Sequence, residues 1–322
     1  MTAKEIEGKV IARLRLQHKA YKTEQSYLGW IRRYNSWLCE QRPAGASAEK
    51  MGAFLTYLAQ VEEVAASTQN QAFNAILYMY RTLGVELGEV KSLRAKPGQF
   101  ERHAPSMGEI KAVRDRLRDA NGYPVRLLFD LLYGCGLRVS EPLGLRVKDV
   151  RMDRRELIIR QAKGGKDRVV KVPPSLYTCL QLQIQSARLV FERDSADGVP
   201  VQVPSALGRR SRSLCRQWGW MFVFPGHVPV AHPRSGEVVR FSLHPGNIQR
   251  EVKRACTAAE LAVPFTPHHL RHAYATHCLD SGANVHDVSE CLGHASLETT
   301  KLYLHAQVDR VQSPLERLAS VA

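Results

Sequence analysis

Apolar residues in the first quarter of the chain recur at three- and four-residue steps, which is the spacing typical of amphipathic helices. The clearest runs are Tyr27, Trp30, Ile31, Tyr34, Trp37 and Leu38, and then Phe54, Leu55 and Leu58. Arg42–Gly45 contains Pro and Gly and interrupts the pattern, and Ser67 and Thr68 are expected to cap the helix that follows. The pattern predicts a small helical domain over residues 1–88.

Residues 89–105 have no apolar face and contain basic residues, Pro and Gly, so we predict a basic interdomain linker there. A second domain is predicted over residues 106–322. It begins with a helix in which Ser106 and Glu109 have the spacing of a capping box. Residues 125–133 are apolar enough to be fully buried.

Later in the second domain the pattern changes from helix to strand and back. Residues 156–160 and 168–172 are predicted to be two short strands around a glycine turn, Lys163–Asp167. Residues 192–240 are irregular and rich in Gly, Pro and Arg, and helical spacing returns from Pro245 to Leu304. We therefore expect a mainly α-helical protein with a small β-sheet in its second domain.

The net charge of the chain indicates the kind of partner it binds. The 322 residues include 46 Lys and Arg against 31 Asp and Glu, which gives a formal net charge of +15. Such an excess favours a polyanionic partner, since each phosphate neutralised by Lys or Arg releases condensed counterions, although many basic proteins only carry a solvated charged surface. No apolar run is long enough for a membrane span and no signal segment is visible, so a cytoplasmic protein is expected.

The seven cysteines are odd in number, widely scattered and form no C-x-x-C pair, so we expect reduced thiols. A metal site was considered because His268 and His272 lie four residues apart on a predicted helix. No H-E-x-x-H motif is present, and Arg271 between these histidines would repel a divalent cation. Neither a metal nor another cofactor is therefore predicted.

Two stretches of the second domain place basic residues beside glycine turns. Arg138 follows an apolar helix and a glycine-bounded turn, so its guanidinium could present a fork to a phosphate or form a structural pair with Glu141. Lys163 and Lys166 lie at the hairpin turn, where a lysine could protonate a leaving alkoxide or be merely solvated. The sequence does not choose between the two lysines.

Two further stretches lie on helices near the C-terminus. His268 and Arg271 share one face close to a helix N-terminus that Pro267 opens, where the helix dipole favours an anion. His294 follows Leu-Gly, and Tyr303 comes nine residues later. A lone Tyr on a helix is more often a core or interface residue than a reactive one.

Taken in chain order, these residues resemble the active-site set of the tyrosine recombinase family: Arg138, Lys163, His268, Arg271, His294 and Tyr303. Four segments further resemble the integron integrase subfamily: Ser67–Ala72, Leu145–Val150, Pro233–Gly236 and Ser313–Leu315. The extra segment at about 192–243 is similar to the insertion of that subfamily. The resemblance implies an N-terminal SAM-like core-binding domain and a C-terminal catalytic domain that form a C-shaped clamp on DNA.

The resemblance also implies a metal-independent phosphoryl transfer that integrates and excises gene cassettes. Tyr303 would attack the scissile phosphodiester to form a 3′-phosphotyrosyl link, with His268 as its base, because a phenol with a pKa near ~10 is protonated at neutral pH. Arg138 and Arg271 would stabilise the transition state, Lys163 would protonate the 5′-oxygen, and His294 would hydrogen-bond the phosphate. Four protomers would act on two sites, with no membrane or small-molecule substrate involved.

The implied partners are a duplex attachment site and a cassette site folded from a single strand, whose extrahelical bases need stacking platforms. The candidate DNA-binding residues are Lys166, Arg168, Trp218, Trp220, His227, Arg234 and Arg240, with Lys91, Arg94 and Lys96 in the linker. The tryptophans could equally be core residues. Val239–Ser242 departs from the subfamily pattern, which puts the preference for folded sites in doubt.

Two other functions stay open from the sequence. The chain could be a Xer or phage-type recombinase that acts only on duplex sites, or a DNA-binding relative that has lost catalysis. The presence of the whole active-site set disfavours the second. Apolar residues after Tyr303 suggest a C-terminal helix that docks on a neighbouring subunit or packs in cis: Val308, Val311, Leu315 and Leu318.

Overall fold

A computed structural model describes residues 1–95, 104–119, 122–160, 167–204 and 211–293. The chain divides into two compact units, Met1–Arg102 and His103–Ala322. The linker predicted over residues 89–105 spans this division. In the described parts, no helix is both long and apolar enough to cross a membrane.

The first unit is a helical bundle, as the apolar spacing predicted. Its helices are α1 (Ala3–Leu16), α2 (Tyr21–Gln41), α3 (Ser47–Gln60) and α4 (Ala66–Thr82). Its core includes Ile31, Tyr34 and Phe54, which are fully buried, and the Tyr34 hydroxyl lies 3.0 Å from that of Tyr80. One hydroxyl donates to the other, which offsets part of the cost of burying two polar groups in this core.

The two predicted helix boundaries in this unit differ in outcome. The interruption at Arg42–Gly45 is confirmed, because α2 ends just before it and Arg42 adopts the left-handed conformation of a helix C-cap. The predicted cap at Ser67 and Thr68 is wrong. Helix α4 already begins at Ala66, and Ala65 occupies the N-cap position without a side-chain hydrogen bond.

The start of the predicted linker is bound to the first unit. The buried Gln69 side chain donates to the Leu93 carbonyl at 2.7 Å and accepts from the Ala95 amide at 3.0 Å. Gly52 lets the chain approach α3 closely, since a Cβ there would lie 2.2 Å from the Lys91 carbonyl oxygen. We call residues 91–95 the strap; it belongs structurally to the helical unit.

The second unit packs helices around one core, with a small antiparallel sheet at its side. The helices are α5 (Met107–Arg116), α6 (Val125–Gly134), α7 (Ser140–Gly144), α8 (Pro174–Ala196), α9 (Pro245–Ala258), α10 (Pro267–Asp280) and α11 (Val285–Leu292). The sheet is β1 (Val150–Arg151), β2 (Glu156–Ile159) and β3 (Arg168–Lys171). The predicted capping box at Ser106 and Glu109 is present, and α6 is buried as expected.

The predicted hairpin is confirmed in its strands. β2 and β3 pair antiparallel with Leu157 opposite Val170 and Ile159 opposite Arg168. Both Leu157 and Val170 are buried against the core. The turn between the strands, residues 161–166, lies outside the described residues.

The predicted insertion contains short 3₁₀ segments at Arg212–Arg216 and Trp218–Trp220, and a two-stranded ribbon of β4 (Val230–Ala231) and β5 (Val238–Val239). Two buried arginines anchor it. Arg240 forms a bidentate pair with Asp194 of α8 at 2.6 and 2.5 Å. Arg146 stacks 3.5 Å from the centroid of the Phe222 ring and donates to the Trp220 carbonyl at 2.8 Å. These contacts fasten the insertion to the last turn of α8 and to Arg146.

Candidate active site

The turn between α6 and α7 brings Arg138 to the site. Gly136 makes this turn possible, because its φ is +60° and a Cβ there would lie 2.5 Å from the Tyr274 ring and 2.9 Å from the Leu292 side chain. The turn is thus pressed against α10 and α11. Its close approach places the Gly136 carbonyl where Arg271 of α10 donates to it at 2.7 Å.

One carboxylate, that of Glu141, organises three arginines. It accepts from the Arg138 backbone amide at 2.7 Å and from its Nη1 at 2.9 Å. Arg168 of β3 donates from Nη1 and Nη2 at 2.8 and 2.7 Å. The Arg271 Nη1 lies 3.9 Å from Glu141 Oε2. We call Glu141 with these three arginines the arginine hub.

The hub is largely removed from solvent. The side chains of Glu141, Arg168 and Arg271 are 7%, 8% and 4% exposed, while Arg138 keeps 23%. Burial by itself disfavours the charged form of Glu141, but the hydrogen bonds from Arg168 and Arg138 outweigh it and hold the pKa of this carboxyl below its usual range. Three guanidiniums around one ionised carboxylate leave two positive charges in excess, which suits an anion such as a phosphate.

Arg271 is held by the backbone as well as by the carboxylate. Besides Gly136, the Leu292 carbonyl at the end of α11 accepts a hydrogen bond from its Nη2. The helix that carries it begins at Pro267, as predicted, and Thr266 occupies the N-cap position of a capping box with His269. Arg271 is therefore held by three groups: the Gly136 carbonyl, the Leu292 carbonyl and the Glu141 carboxylate.

His268 lies three residues before Arg271 on the same helix and is accessible to solvent. Partial desolvation of the imidazole lowers its pKa, and the positive charges of Arg271, His269 and Arg138 lower it further. The His268 ring meets that of His272 edge to face, with centroids 5.0 Å apart. A lowered pKa keeps His268 neutral at physiological pH, and a neutral imidazole can accept a proton.

The remaining predicted active-site residues lie outside the described residues: Lys163, His294 and Tyr303. The structure does describe the chain up to the residue before His294. Helix α11 ends at Leu292, and the next residue, Gly293, has a φ of +62°, which is the left-handed conformation of a helix C-cap. The last carbonyls of α11 are bound by Arg168, through Cys291, and by Arg271, through Leu292.

The charged and histidine candidates for DNA binding that the structure describes are either exposed or buried. Lys91, Arg94, His227 and Arg234 are exposed, whereas Lys96 and Lys166 lie outside the described residues. Arg168 and Arg240 are buried in ion pairs with Glu141 and Asp194. The prediction that these two contact DNA is therefore corrected: their guanidiniums are turned into the protein, where carboxylates and carbonyls hold them.

The two tryptophans of the insertion are partly exposed, and each carries a cation on its ring. The Arg188 Cζ atom lies 5.0 Å from the Trp218 ring centroid, and the Lys148 Nζ atom lies 3.0 Å from that of Trp220. Trp218 also packs on Phe191 with centroids 5.5 Å apart. The two tryptophans are therefore not buried core residues, and their rings are not fully free to stack on a base, since cation–π contacts cover part of each ring.

Arg168 is the site residue whose role sequence reasoning missed. A signal was present in the strand pattern: Arg168 lies two residues before the buried Val170, so both point to the same face of β3. Across the described ranges, no three His, Cys, Asp or Glu side chains are grouped to hold a metal ion. The donors in the hub are guanidiniums, which repel cations and bind anions.

Comparisons with known proteins find relatives of both units. The phage integrase family model matches residues 107–310, and the phage integrase N-terminal SAM-like domain model matches residues 8–89. An integrase/recombinase of Escherichia coli is 36% identical over 312 residues, covering 95% of this chain and 91% of that protein. Tyrosine recombinase XerA of Thermococcus kodakarensis is 28% identical over 314 residues, covering 94% and 92%. The chain belongs to the phage integrase, or tyrosine recombinase, family.

Solved structures show the same fold at low sequence identity. The Tn1549 transposon integrase in complex with transposon right end DNA has a TM-score of 0.63 and 17% identity, covering 98% of this chain and 99% of that one. A λ integrase dimer bound to a COC′ core site has a TM-score of 0.62 and 16% identity, covering 97% and 98%. Within the family, the arginine hub lies in the catalytic unit and the helical bundle is the SAM-like domain.

Proposed function

We propose that this protein is an integron integrase, a site-specific recombinase that cuts and rejoins DNA through a 3′-phosphotyrosyl intermediate to integrate and excise gene cassettes. It acts without a metal or cofactor on cytoplasmic, nucleoid DNA. Four protomers are proposed to act on two sites, one a duplex attachment site and the other a folded cassette site. Family membership, a basic net charge of +15 and the arginine hub support the recombinase activity.

The observation that carries the activity is the meeting of Arg138, Arg271 and His268 in one site. Two guanidiniums there have charge that Glu141 does not cancel, which is what a phosphodiester needs as negative charge builds up in the transition state. His268, with its lowered pKa, accepts the proton of the Tyr303 phenol. Lys163 protonates the 5′-oxygen that leaves, and His294 hydrogen-bonds the phosphate.

A suicide substrate tests the nucleophile. A duplex site nicked beside the scissile phosphate loses its short 5′-hydroxyl fragment after attack, so the covalent complex accumulates and can be seen on a denaturing gel. Tyr303→Phe is expected to give no adduct, because the nucleophilic oxygen is gone. Tyr177→Phe, on α8, is the matched control and is expected to form adduct normally. An adduct that persists in Tyr303→Phe would refute the assignment.

The integron assignment is supported by the insertion and by the four segments that resemble this subfamily: Ser67–Ala72, Leu145–Val150, Pro233–Gly236 and Ser313–Leu315. Trp218 and Trp220 are proposed to stack on extrahelical bases after their cation partners move aside, and His227 extends this surface. Base stacking contributes about 1–3 kcal/mol per base. Trp220→Ala is therefore expected to weaken binding of a folded single-stranded site more than binding of its duplex form. Val230→Ala, on the exposed β4, is a control within the same insertion.

A Xer-type recombinase that acts only on duplex sites is the second candidate. The full-length likeness to XerA and the departure at Val239–Ser242 favour it. Comparing adduct formation on the folded strand and on the duplex separates the two candidates. A strong preference for the folded single strand supports the integron integrase, whereas cleavage confined to the duplex supports the Xer-type enzyme.

A further inference from the structure

We propose that Arg168 is a positioning residue for strand cleavage: it holds Glu141 and the end of α11 in place so that Arg138 and Arg271 meet the scissile phosphate in the correct geometry. This inference rests on the proposed recombinase activity and deepens it. It replaces the role of DNA contact that the sequence suggested for Arg168.

The donors of Arg168 are turned into the protein. Nη1 and Nη2 form a bidentate pair with Glu141 at 2.8 and 2.7 Å, and Nε donates to the Cys291 carbonyl at 2.9 Å. Only 8% of the side chain is exposed. A planar guanidinium that meets a carboxylate with two parallel bonds fixes orientation as well as charge.

Arg168 joins three parts of the catalytic unit that are distant in the sequence. It starts β3, it contacts Glu141 at the start of α7, and it binds the last turn of α11. Gly293 is shaped to this contact, because a Cβ there would lie 2.9 Å from the Arg168 Cδ. The hairpin that precedes Arg168 carries Lys163, and the chain after Gly293 leads to His294 and Tyr303. Arg168 thus links the segments of the proposed acid and nucleophile.

The charge balance of the hub depends on Arg168. Glu141 faces Arg138 from the turn, Arg168 from β3 and Arg271 from α10. With Arg168 present, the carboxylate has a dedicated counterion, and the charges of Arg138 and Arg271 remain for a phosphate. Without it, Glu141 keeps only its hydrogen bonds from Arg138 and the more distant charge of Arg271, so its pKa rises and protonation changes the phosphate-binding geometry.

The test measures cleavage and binding separately in Arg168→Gln and Arg168→Lys. Single-turnover cleavage of the nicked duplex is expected to slow by about 10- to 100-fold in Arg168→Gln, since small misplacements of catalytic groups have effects of this size. The dissociation constant for the duplex is expected to stay within about threefold, with the same dependence on salt. A lost phosphate contact would instead reduce the slope of log K against log salt by about 0.9, and that result would overturn the proposal.

A pH profile distinguishes positioning from general loss of structure. In Arg168→Gln, Glu141 keeps its burial but loses its main hydrogen-bond donor, so its pKa rises; raising the pH then restores the carboxylate and part of the cleavage rate. Arg168→Lys keeps a positive charge and is expected to cleave at an intermediate rate with the wild-type pH profile. A loss in Arg168→Gln that is the same at every pH contradicts the proposed charge role.

Two controls keep the outcomes separate. Lys171→Gln changes an exposed residue at the other end of β3, whose partner is Glu156 at 2.9 Å, and is expected to cleave like the wild type. If Arg168→Gln does not fold, Arg168→Lys decides by its rate and salt dependence. Wild-type protein that forms no tyrosyl adduct defeats the proposed function, whereas adduct formation with equal rates in the wild type and both variants defeats only the role of Arg168.

Discussion

Two of the buried carboxylates that bind arginine in the catalytic unit, those of Asp194 and Glu141, differ in charge balance. Asp194 has one arginine, Arg240, and the two side chains are 3% and 2% exposed. Glu141 has three arginines within 4 Å, and one of them, Arg138, still reaches solvent. The first cluster is neutral and closed; the second has an excess of two positive charges and one open side.

The difference indicates what each cluster is for. Burying a charge is costly unless it is paired, so a neutral pair such as Asp194–Arg240 is a self-sufficient anchor for the insertion. An unbalanced cluster gives up stability and is typical of a site where a ligand supplies the missing charge. A phosphodiester supplies negative charge at the side of the hub where Arg138 is exposed.

The largest effect is expected from breaking the closed pair. Asp194→Asn removes the counterion of a guanidinium that is almost fully buried, which is expected to lower the free energy of unfolding by about 3–5 kcal/mol. Urea unfolding measures this loss. Glu192→Gln on the same helix removes an exposed ion pair with Arg188 and is expected to change stability by less than about 1 kcal/mol. Equal losses in the two variants would mean that the Asp194–Arg240 pair does not anchor the insertion.

The next largest effect concerns the open cluster, where function and not stability is expected to suffer. Arg271→Lys keeps the charge but cannot hold Gly136, Leu292 and a phosphate oxygen together, so cleavage of the suicide duplex is expected to fall by about 10²- to 10³-fold. Duplex affinity is expected to change little, because Arg271 is one contact among many. Arg114→Lys, in a bidentate pair with Asp130 at 2.6 and 2.7 Å, is the control outside the site. Wild-type cleavage by Arg271→Lys would remove Arg271 from the mechanism.

A smaller effect is expected on the titration of His268 in the DNA-free protein. The pKa of His268 is lowered by partial desolvation and by positive neighbours that include Arg138, so the imidazole stays neutral to lower pH than a free histidine. Arg138→Gln removes one of these charges and is expected to raise the pKa of His268. NMR titration of the imidazole carbons measures the shift. A pKa that stays constant or falls would show that Arg138 does not act on His268 electrostatically.

The sequence predicted the framework of these clusters better than their partners. Periodicity identified α6, the two strands of the hairpin and the helix opened by Pro267, because burial imposes a regular spacing on apolar residues. It also placed His268 and Arg271 on one helix face, since residues three apart are neighbours there. The sequence also raised the pair of Arg138 with Glu141, which is present. The structure added the pairs of Arg168 with Glu141 and of Arg240 with Asp194, because these join residues far apart in the chain.

Arg168 and Arg240 show why charge alone misleads. Each belongs to a basic stretch, and in a protein with an excess of basic residues each was expected to contact DNA. The partner of Arg168, Glu141, lies 27 residues away in the sequence, and the partner of Arg240, Asp194, lies 46 residues away. The alternation of β3 around Val170 could have indicated that Arg168 points inward, whereas Arg240 follows the two-residue β5, which is too short to show such a pattern.

The smallest effect concerns a third anchor, the strap, which is closed like Asp194–Arg240 but has no charge at its core. Gly52→Ala would place a Cβ 2.2 Å from the Lys91 carbonyl oxygen, whereas Gly29→Ala in α2 meets nothing within 4 Å. Ala favours a helix over Gly by up to about 1 kcal/mol, so Gly29→Ala is expected to stabilise the helical unit by up to that amount. In Gly52→Ala the same gain in helix stability is offset, because the new Cβ displaces the strap from α3. Hydrogen exchange at the Ala95 amide, which donates to Gln69 at 3.0 Å, is expected to quicken in Gly52→Ala alone; equal exchange in both variants would mean that Gly52 does not hold the strap.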